Sequence, residues 1–365
     1  MSPSIHLPGL NGLRAIAALT VMWGHVFLGP FGYWGLEGDY RSIFPLDGVT
    51  LFFVISGFLI TYLLLNERDN SGTINVKKFY IRRILRIWPL YYVYLSIALL
   101  FTGVSIGNGV WFYLFFGANI PFILGSALWP IVHYWSLGVE EQFYLFWPWI
   151  VKKIRIETER GYRILTYTIL SIIIIWLSCK LLCWTPGDKS VLYRFFSVTR
   201  FDCMMIGALG AVLYYRHTYW FLCITHNRWI AAIAVLMLIF SQWVKLIPAV
   251  IQPQVVAVVS LVAIVGQLSK NKPLINLENK IMDSIGRISY GIYVIHPLLI
   301  YGISKFWTEM SPQLGEMIQV LIIYAIVTLS TLGIAYLSYQ LLELPFLKLK
   351  NKFAVVQSQS SMRKQ

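Results

Sequence analysis

Charge is scarce in this sequence. Only 13% of its 365 residues are Asp, Glu, Lys or Arg, while 58% are hydrophobic. A soluble domain is about one quarter charged, so the deficit excludes an ordinary soluble globular protein. Cysteine is scarce too. Cys179, Cys183, Cys203 and Cys223 are the only four, and their spacing fits no metal motif. They read as small buried side chains in apolar segments, and no metal site is expected. Internal repeats, low-complexity segments and long linkers are missing. The first apolar stretch, near residue 10, has no basic region before it and no small-residue cleavage site after it. It is therefore expected to be a retained helix and not a signal peptide.

What is present is a succession of apolar runs of about twenty residues, the length that crosses a bilayer as a helix. They predict an all-α polytopic membrane protein with ten spans, near 11–29, 47–66, 84–103, 137–151, 164–182, 201–215, 229–247, 254–268, 288–304 and 317–341. An extra short or re-entrant helix is expected near 108–128. The net charge of +14 suggests nucleic acid at first sight, but its distribution argues against that. With a cytoplasmic N-terminus, the inner segments carry 23 of the 30 Lys and Arg residues and the outer segments six. That asymmetry follows the positive-inside rule and places both termini in the cytoplasm. The partner implied by the basicity is the lipid bilayer, with no nucleic acid. One transmembrane domain is expected over 8–347, and a polar cytoplasmic tail over 348–365 that frays.

Several ionisable residues fall inside these apolar runs, where they are costly and usually face a cavity or a partner. In "RAIAALTVMWGH", Arg14 and His25 are eleven positions apart. On a helix that is about three turns, roughly 16 Å, with both on nearly the same face. In "DGVTLFFVISGFLIT", Asp47 lies at the outer end of the second span, at the depth of His25, and a carboxylate there polarises an imidazole. Ser56 and Gly57 read as packing residues. In "KKFYIRRILRIWPLYY", Arg82, Arg83 and Arg86 crowd the inner mouth of the third span and suit bidentate binding of a phosphate-rich anion. The bland alternative is inner-surface anchoring.

No Lys or Arg occurs between Ile97 and Ile150. Yet "HYWSLGVEEQFYLFWP" holds Glu140 and Glu141 there, so a partner from elsewhere is required. We expect one of these carboxylates to meet His25. Trp135, Arg200 and Asp202 are candidate substrate-binding residues at the outer side, although Arg200 and Asp202 also read as a simple ion pair. His296, about 12 Å into the ninth span, reads either as structural or as pore-lining. Glu343 reads as a partner for the basic inner loops.

Taken in order, "LNGLRAIAALTVMWGH", "GVTLFFVISGFLIT", "FYIRRILRIWPLYY", "HYWSLGVEEQFYLFWP", "RFDCMMIGALGA", "GRISYGIYVIHPLL" and "LLELPF" resemble the acyltransferase 3 family of membrane-bound acyltransferases. The resemblance runs from Leu10 to about Leu347. It implies ten helices and transfer of an acyl group, commonly acetyl from cytoplasmic acetyl-CoA, to a hydroxyl of an extracytoplasmic glycan or glycolipid. It also implies residence in the cytoplasmic (inner) membrane. By the same resemblance, Arg14 and His25 are an essential pair, Arg83 and Arg86 belong to a basic motif, and Glu140 is the acid of a Ser-Leu-x-x-Glu motif. The sequence departs from the family at Thr50, where an acid is usual; Asp47 is the candidate replacement. Some relatives carry a further span and an esterase-like domain after the last motif. Without them, the acyl group is expected to pass directly to the acceptor or to a separate extracytoplasmic protein.

Arg14, Arg82, Arg83 and Arg86 would then hold the phosphates of acyl-CoA, while His25 acts as general base or acyl acceptor. Two alternatives remain at this level. One is a secondary transporter, against which stand the lack of repeated halves and of matched broken helices. The other is an acyltransferase acting on an amine or a small metabolite.

Overall fold

The computed structural model describes residues 4–28, 32–38, 40, 48–102, 109–185, 190–240, 245–269, 273–310, 314–353 and 357–358. Apolar sequence makes helix through most of the described residues, even across Pro89, Pro148 and Pro297. The helices are α1 (Leu10–Val26), α2 (Gly48–Ser71), α3 (Val76–Thr102), α4 (Val110–Leu114), α5 (Asn119–Leu124), α6 (Tyr134–Lys153), α7 (Glu159–Leu182) and α8 (Val191–Thr199). They continue as α9 (Phe201–Tyr215), α10 (Tyr219–Thr225), α11 (Arg228–Ile239), α12 (Gln252–Gln267), α13 (Lys280–Arg287), α14 (Ser289–Met310), α15 (Glu316–Ser338) and α16 (Leu344–Asn351). A π-helical turn, Tyr339–Glu343, joins α15 to α16. Several starts are set by side chains that accept otherwise orphaned N–H groups. Thr158 caps α7 at Gly161 N, and Asn279 caps α13 at Met282 N.

A helix lies in each of the ten expected stretches, although the one in 229–247 ends at Ile239, and length and apolarity mark fewer as spans. Five helical stretches qualify: Gly48–Ser71, Val76–Phe101, Glu159–Leu182, Val191–Tyr215 and Glu316–Asn351. A sixth is added if α10 and α11, bent by 62°, count as one. The others fall short for physical reasons. α1 and α12 run 17 and 16 residues, below the roughly 20 that cross a bilayer. α6 and α14 carry glutamates, histidines or many aromatic residues. The region expected to hold one extra helix holds two short ones, α4 and α5. α3 starts eight residues before the expected third span, so Arg82, Arg83 and Arg86 lie within the helix.

Burial sorts the helices. The most apolar window of α2 is 78% buried, against 17% for α7, so α2 is central and α7 turns its side chains outward. α1 is also interior, with 14 of its 17 residues buried. α2 and α9 meet at two glycines. A Cβ on Gly57 would lie 1.9 Å from the Met204 carbonyl oxygen, and one on Gly207 would lie 2.2 Å from that of Val54. No larger residue permits this approach.

At the chain ends, Ser4–Ile5 pairs in parallel with Gln357–Ser358, so both ends lie on one side. α16 continues through Asn351 and packs on α3. The expected tail boundary at residue 348 therefore falls inside a helix. All four cysteines are unpaired, but only Cys203 is buried and Cys223 is exposed.

Candidate functional site

Five helices turn one face each toward a common cleft. α6 contributes Ser136, Glu140 and Tyr144, each four residues from the next and so on one side of the helix. α14 contributes Ser289 and Tyr293, again four apart. α1 contributes Arg14, α2 Ser56, and α3 Arg83 and Arg86.

The charged part of the cleft is a compact network. Ser56 Oγ donates to Glu140 Oε1 at 2.6 Å, and Tyr144 OH donates to Ser56 Oγ at 3.0 Å. The Arg83 guanidinium lies 5.4 Å from the centre of the Tyr144 ring and 5.5 Å from that of Phe79. Its Nε is buried without a hydrogen-bond partner among the described residues. Arg14, Arg83 and Arg86 all act electrostatically on Glu140. Lys350 on α16 lies close enough to Arg86, Arg83 and Arg14 to interact with them electrostatically. Glu141, the neighbour of Glu140, faces Trp88 instead. Three half-buried arginines thus line the cleft with one carboxylate, Glu140, an excess of positive charge that calls for an anion to neutralise it.

His25 lies beyond the cleft, at the other end of α1. Its Nδ1 is 3.0 Å from His296 Nε2, and the two rings stack with centroids 5.0 Å apart. His296 is one turn past the cleft-lining Tyr293 on α14, and their rings are 6.0 Å apart. The Tyr293 hydroxyl bonds Ser136 and also donates to the His133 carbonyl at 3.0 Å. A line of polar groups thus runs from the arginines through Ser136 and Tyr293 to the paired histidines.

Several expectations require correction. Neither Glu140 nor Glu141 buttresses His25. Because α6 begins at Tyr134, Glu140 lies almost two turns into the helix and at the level of Arg14, where Ser56 takes its oxygen. Arg82 is not part of the cleft. It pairs with Glu67 at 2.9 Å and donates to the Phe353 carbonyl at 3.0 Å. Arg200 and Asp202 do not pair with each other. Arg200 donates to Thr50 Oγ1 at 3.0 Å and lies over the Trp135 ring at 5.7 Å. Asp202 is fully buried, accepts from Cys203 N and Gln254 Nε2, and so is not open to an acceptor. Trp135 stacks on Phe122 and meets Phe53 edge-on, so its ring is engaged in packing. Glu343 does not bond the basic loops. It is buried in the π-helical turn, with Oε1 lacking a partner among the described residues. Asp47 lies outside the described residues.

Sequence reasoning missed Ser136, Tyr144, Tyr293 and Lys350 as cleft or near-cleft groups. The available signal was the four-residue spacing of Ser136, Glu140 and Tyr144, which sets three polar groups on one face of an apolar helix. Lys350 gave no such signal, because it sat in a segment read as tail.

No solved structure matches the chain. Among curated proteins, one from Staphylococcus aureus (strain COL), named "Putative O-acetyltransferase", is 32% identical over 226 residues. That match covers 57% of this chain and 35% of the relative. "O-acetyltransferase OatA" of Staphylococcus aureus (strain NCTC 8325 / PS 47) is 30% identical over 227 residues, with the same coverage. The matched part thus spans about a third of these relatives' length. The model of one protein family, described as "Acyltransferase domain", matches residues 7–340. With nearly the whole length matched and five of the seven motifs lining one cleft, the chain belongs to this acyltransferase family.

Proposed function

We propose that this protein is a multi-pass O-acetyltransferase of the cytoplasmic membrane. Its acyl donor would be cytoplasmic acetyl-CoA or another acyl-CoA, and its acceptor a hydroxyl of an extracytoplasmic glycan or glycolipid. The observation that carries the reading is a single cleft with an arginine-rich end and a polar path to a histidine pair. The names of the Staphylococcus aureus relatives support acetyl transfer to oxygen.

Arg14, Arg83 and Arg86 would hold the donor's phosphates. The unpartnered Arg83 Nε and the excess of cations suit such an anion. Arg82, committed to Glu67, falls out of this set. The slim pantetheine arm would extend between the apolar walls, past Tyr293, toward His25. Ser56 and Tyr144 hold Glu140 in place to balance the arginines when the donor is absent.

At the far end, His25 Nε2 would accept the proton of the incoming hydroxyl as its oxygen bonds to the acyl carbon. The carbon–sulfur bond then breaks, and the same proton returns to the departing thiolate. In the alternative route, Nε2 itself bonds to the acyl carbon as the carbon–sulfur bond breaks and thiolate leaves; the hydroxyl then takes the acyl group from Nε2, and its proton goes to the thiolate. The acceptor would be the final glycan or a separate extracytoplasmic carrier protein.

The experiment is transfer of radiolabelled acetyl from acetyl-CoA by the purified protein in lipid nanodiscs, with glycan-bearing envelope fractions as acceptor. Label should move to glycan in a His25-dependent way. Uptake of solute without any need for CoA would replace this reading with a transporter.

A further inference from the structure

A neutral imidazole has one N–H and one lone pair, and a backbone carbonyl can only accept. The Ile292 carbonyl oxygen lies 3.0 Å from His296 Nδ1. The hydrogen of His296 is therefore on Nδ1, and its Nε2 carries the lone pair. That Nε2 is 3.0 Å from His25 Nδ1, so His25 Nδ1 must be the donor. The lone pair of His25 then resides on Nε2.

We propose that His296 is a positioning residue which, anchored on the Ile292 carbonyl, holds His25 as the Nδ1–H tautomer and leaves Nε2 as the reacting nitrogen. The inference rests on the functional reading of His25 given above. It assigns to His296 the role that a carboxylate fills in hydrolase triads. A carboxylate in this place would bring a formal charge into a fully buried site, since His296 has no exposed surface. A neutral imidazole supplies the same acceptor without that cost.

The surroundings fix the His296 ring as well as its hydrogen. The His133 ring lies 5.6 Å from it and Tyr293 6.0 Å. His133 is itself bound through Nε2 to the Val294 carbonyl at 3.1 Å. When Nε2 of His25 takes a proton, the Nδ1–H bond to His296 becomes charge-assisted and strengthens. His296 thus favours the protonated intermediate over the resting state, while remaining away from the substrate.

The test uses the full chain in nanodiscs with ¹⁵N-labelled histidine rings and His25→Ala to assign the His25 signals. The wild-type spectrum should show hydrogen on Nδ1 of His25. His296→Leu should lower turnover about tenfold to a hundredfold, the range for loss of one orienting hydrogen bond. Its KM for acetyl-CoA should stay within about twofold. His296→Gln, whose amide oxygen reaches the place of Nε2, should restore most of the turnover, which a purely packing role does not explain. A wild-type spectrum with hydrogen on Nε2 overturns the proposal. So does a folded His296→Leu protein with wild-type turnover. Full activity in His25→Ala would instead sink the acyl-transfer role of His25, while the ring spectrum of the wild type would still report its tautomer.

Discussion

The two ends of α1 bury polar groups in opposite ways. Around Arg14 the protein gathers charge: arginines, Lys350 and Glu140, tied by the hydroxyls of Ser56 and Tyr144. Around His25 it gathers neutral acceptors: a second histidine and backbone carbonyls. The arginine end is under-neutralised and so suits an anion. The histidine end is tied together by hydrogen bonds among imidazoles and backbone carbonyls and so suits proton transfer. In the proposed function one helix, with about 16 Å between the two residues, would link donor binding to the reaction.

This contrast breaks most sharply at His25. His25→Ala should reduce acyl transfer about 10²- to 10⁴-fold, the contribution of a general base, while the protein still inserts and binds donor. A normally expressed variant with wild-type rates would remove the reactive end from the comparison.

The arginine end should show the complementary behaviour. Arg83→Ala or Arg86→Ala should raise the KM for acetyl-CoA about tenfold to a hundredfold, because a charge-assisted phosphate contact is worth about 1.5–3 kcal/mol. Acetyl-pantetheine, which has no nucleotide phosphates, should be used equally well by wild type and variants. Equal losses on both donors would mean that these arginines serve only the fold.

The separation of the two ends is measurable as well. Glu140→Gln and His296→Leu share no partner, so their effects should add within about 0.5 kcal/mol, whereas His25 and His296 should be strongly non-additive. Strong coupling between Glu140 and His296 would merge the two ends into one network.

The smallest catalytic effect is expected at Arg82. Its side chain pairs with Glu67, whose carboxylate is only 3% exposed. Arg82→Gln should therefore lower stability by about 3–5 kcal/mol, the cost of stranding a buried charge. The KM for acetyl-CoA, measured on the folded fraction, should remain within about twofold. A rise as large as that of Arg83→Ala would return Arg82 to the phosphate site.

Much of this was legible from the residues alone. An ionisable residue in an apolar run is costly enough to demand a reason, which is why Arg14, His25, Arg83, Arg86 and Glu140 stood out. Helical periodicity placed Arg14 and His25 on one face. The membrane class followed from the charge deficit and the long apolar runs, because backbone in lipid must satisfy itself as helix. Partner choice was not legible. Glu140 and His25 looked like natural partners because both seemed to lie near an outer surface. The true depth of Glu140 depended on where α6 begins, and helix starts are weakly encoded when no capping side chain marks them: His133, the residue before α6, makes no capping bond. Which of Arg82, Arg83 and Arg86 face the cleft depended on the rotation of α3 against its neighbours, and in this structure Glu67 of α2 takes Arg82. His296 and His25 are 271 positions apart. Local composition therefore determined the class of the protein and its costly residues. Only the packing of α1 against α14 decided that one histidine would orient the other, because a hydrogen bond of 3 Å depends on helix contacts that no local pattern carries.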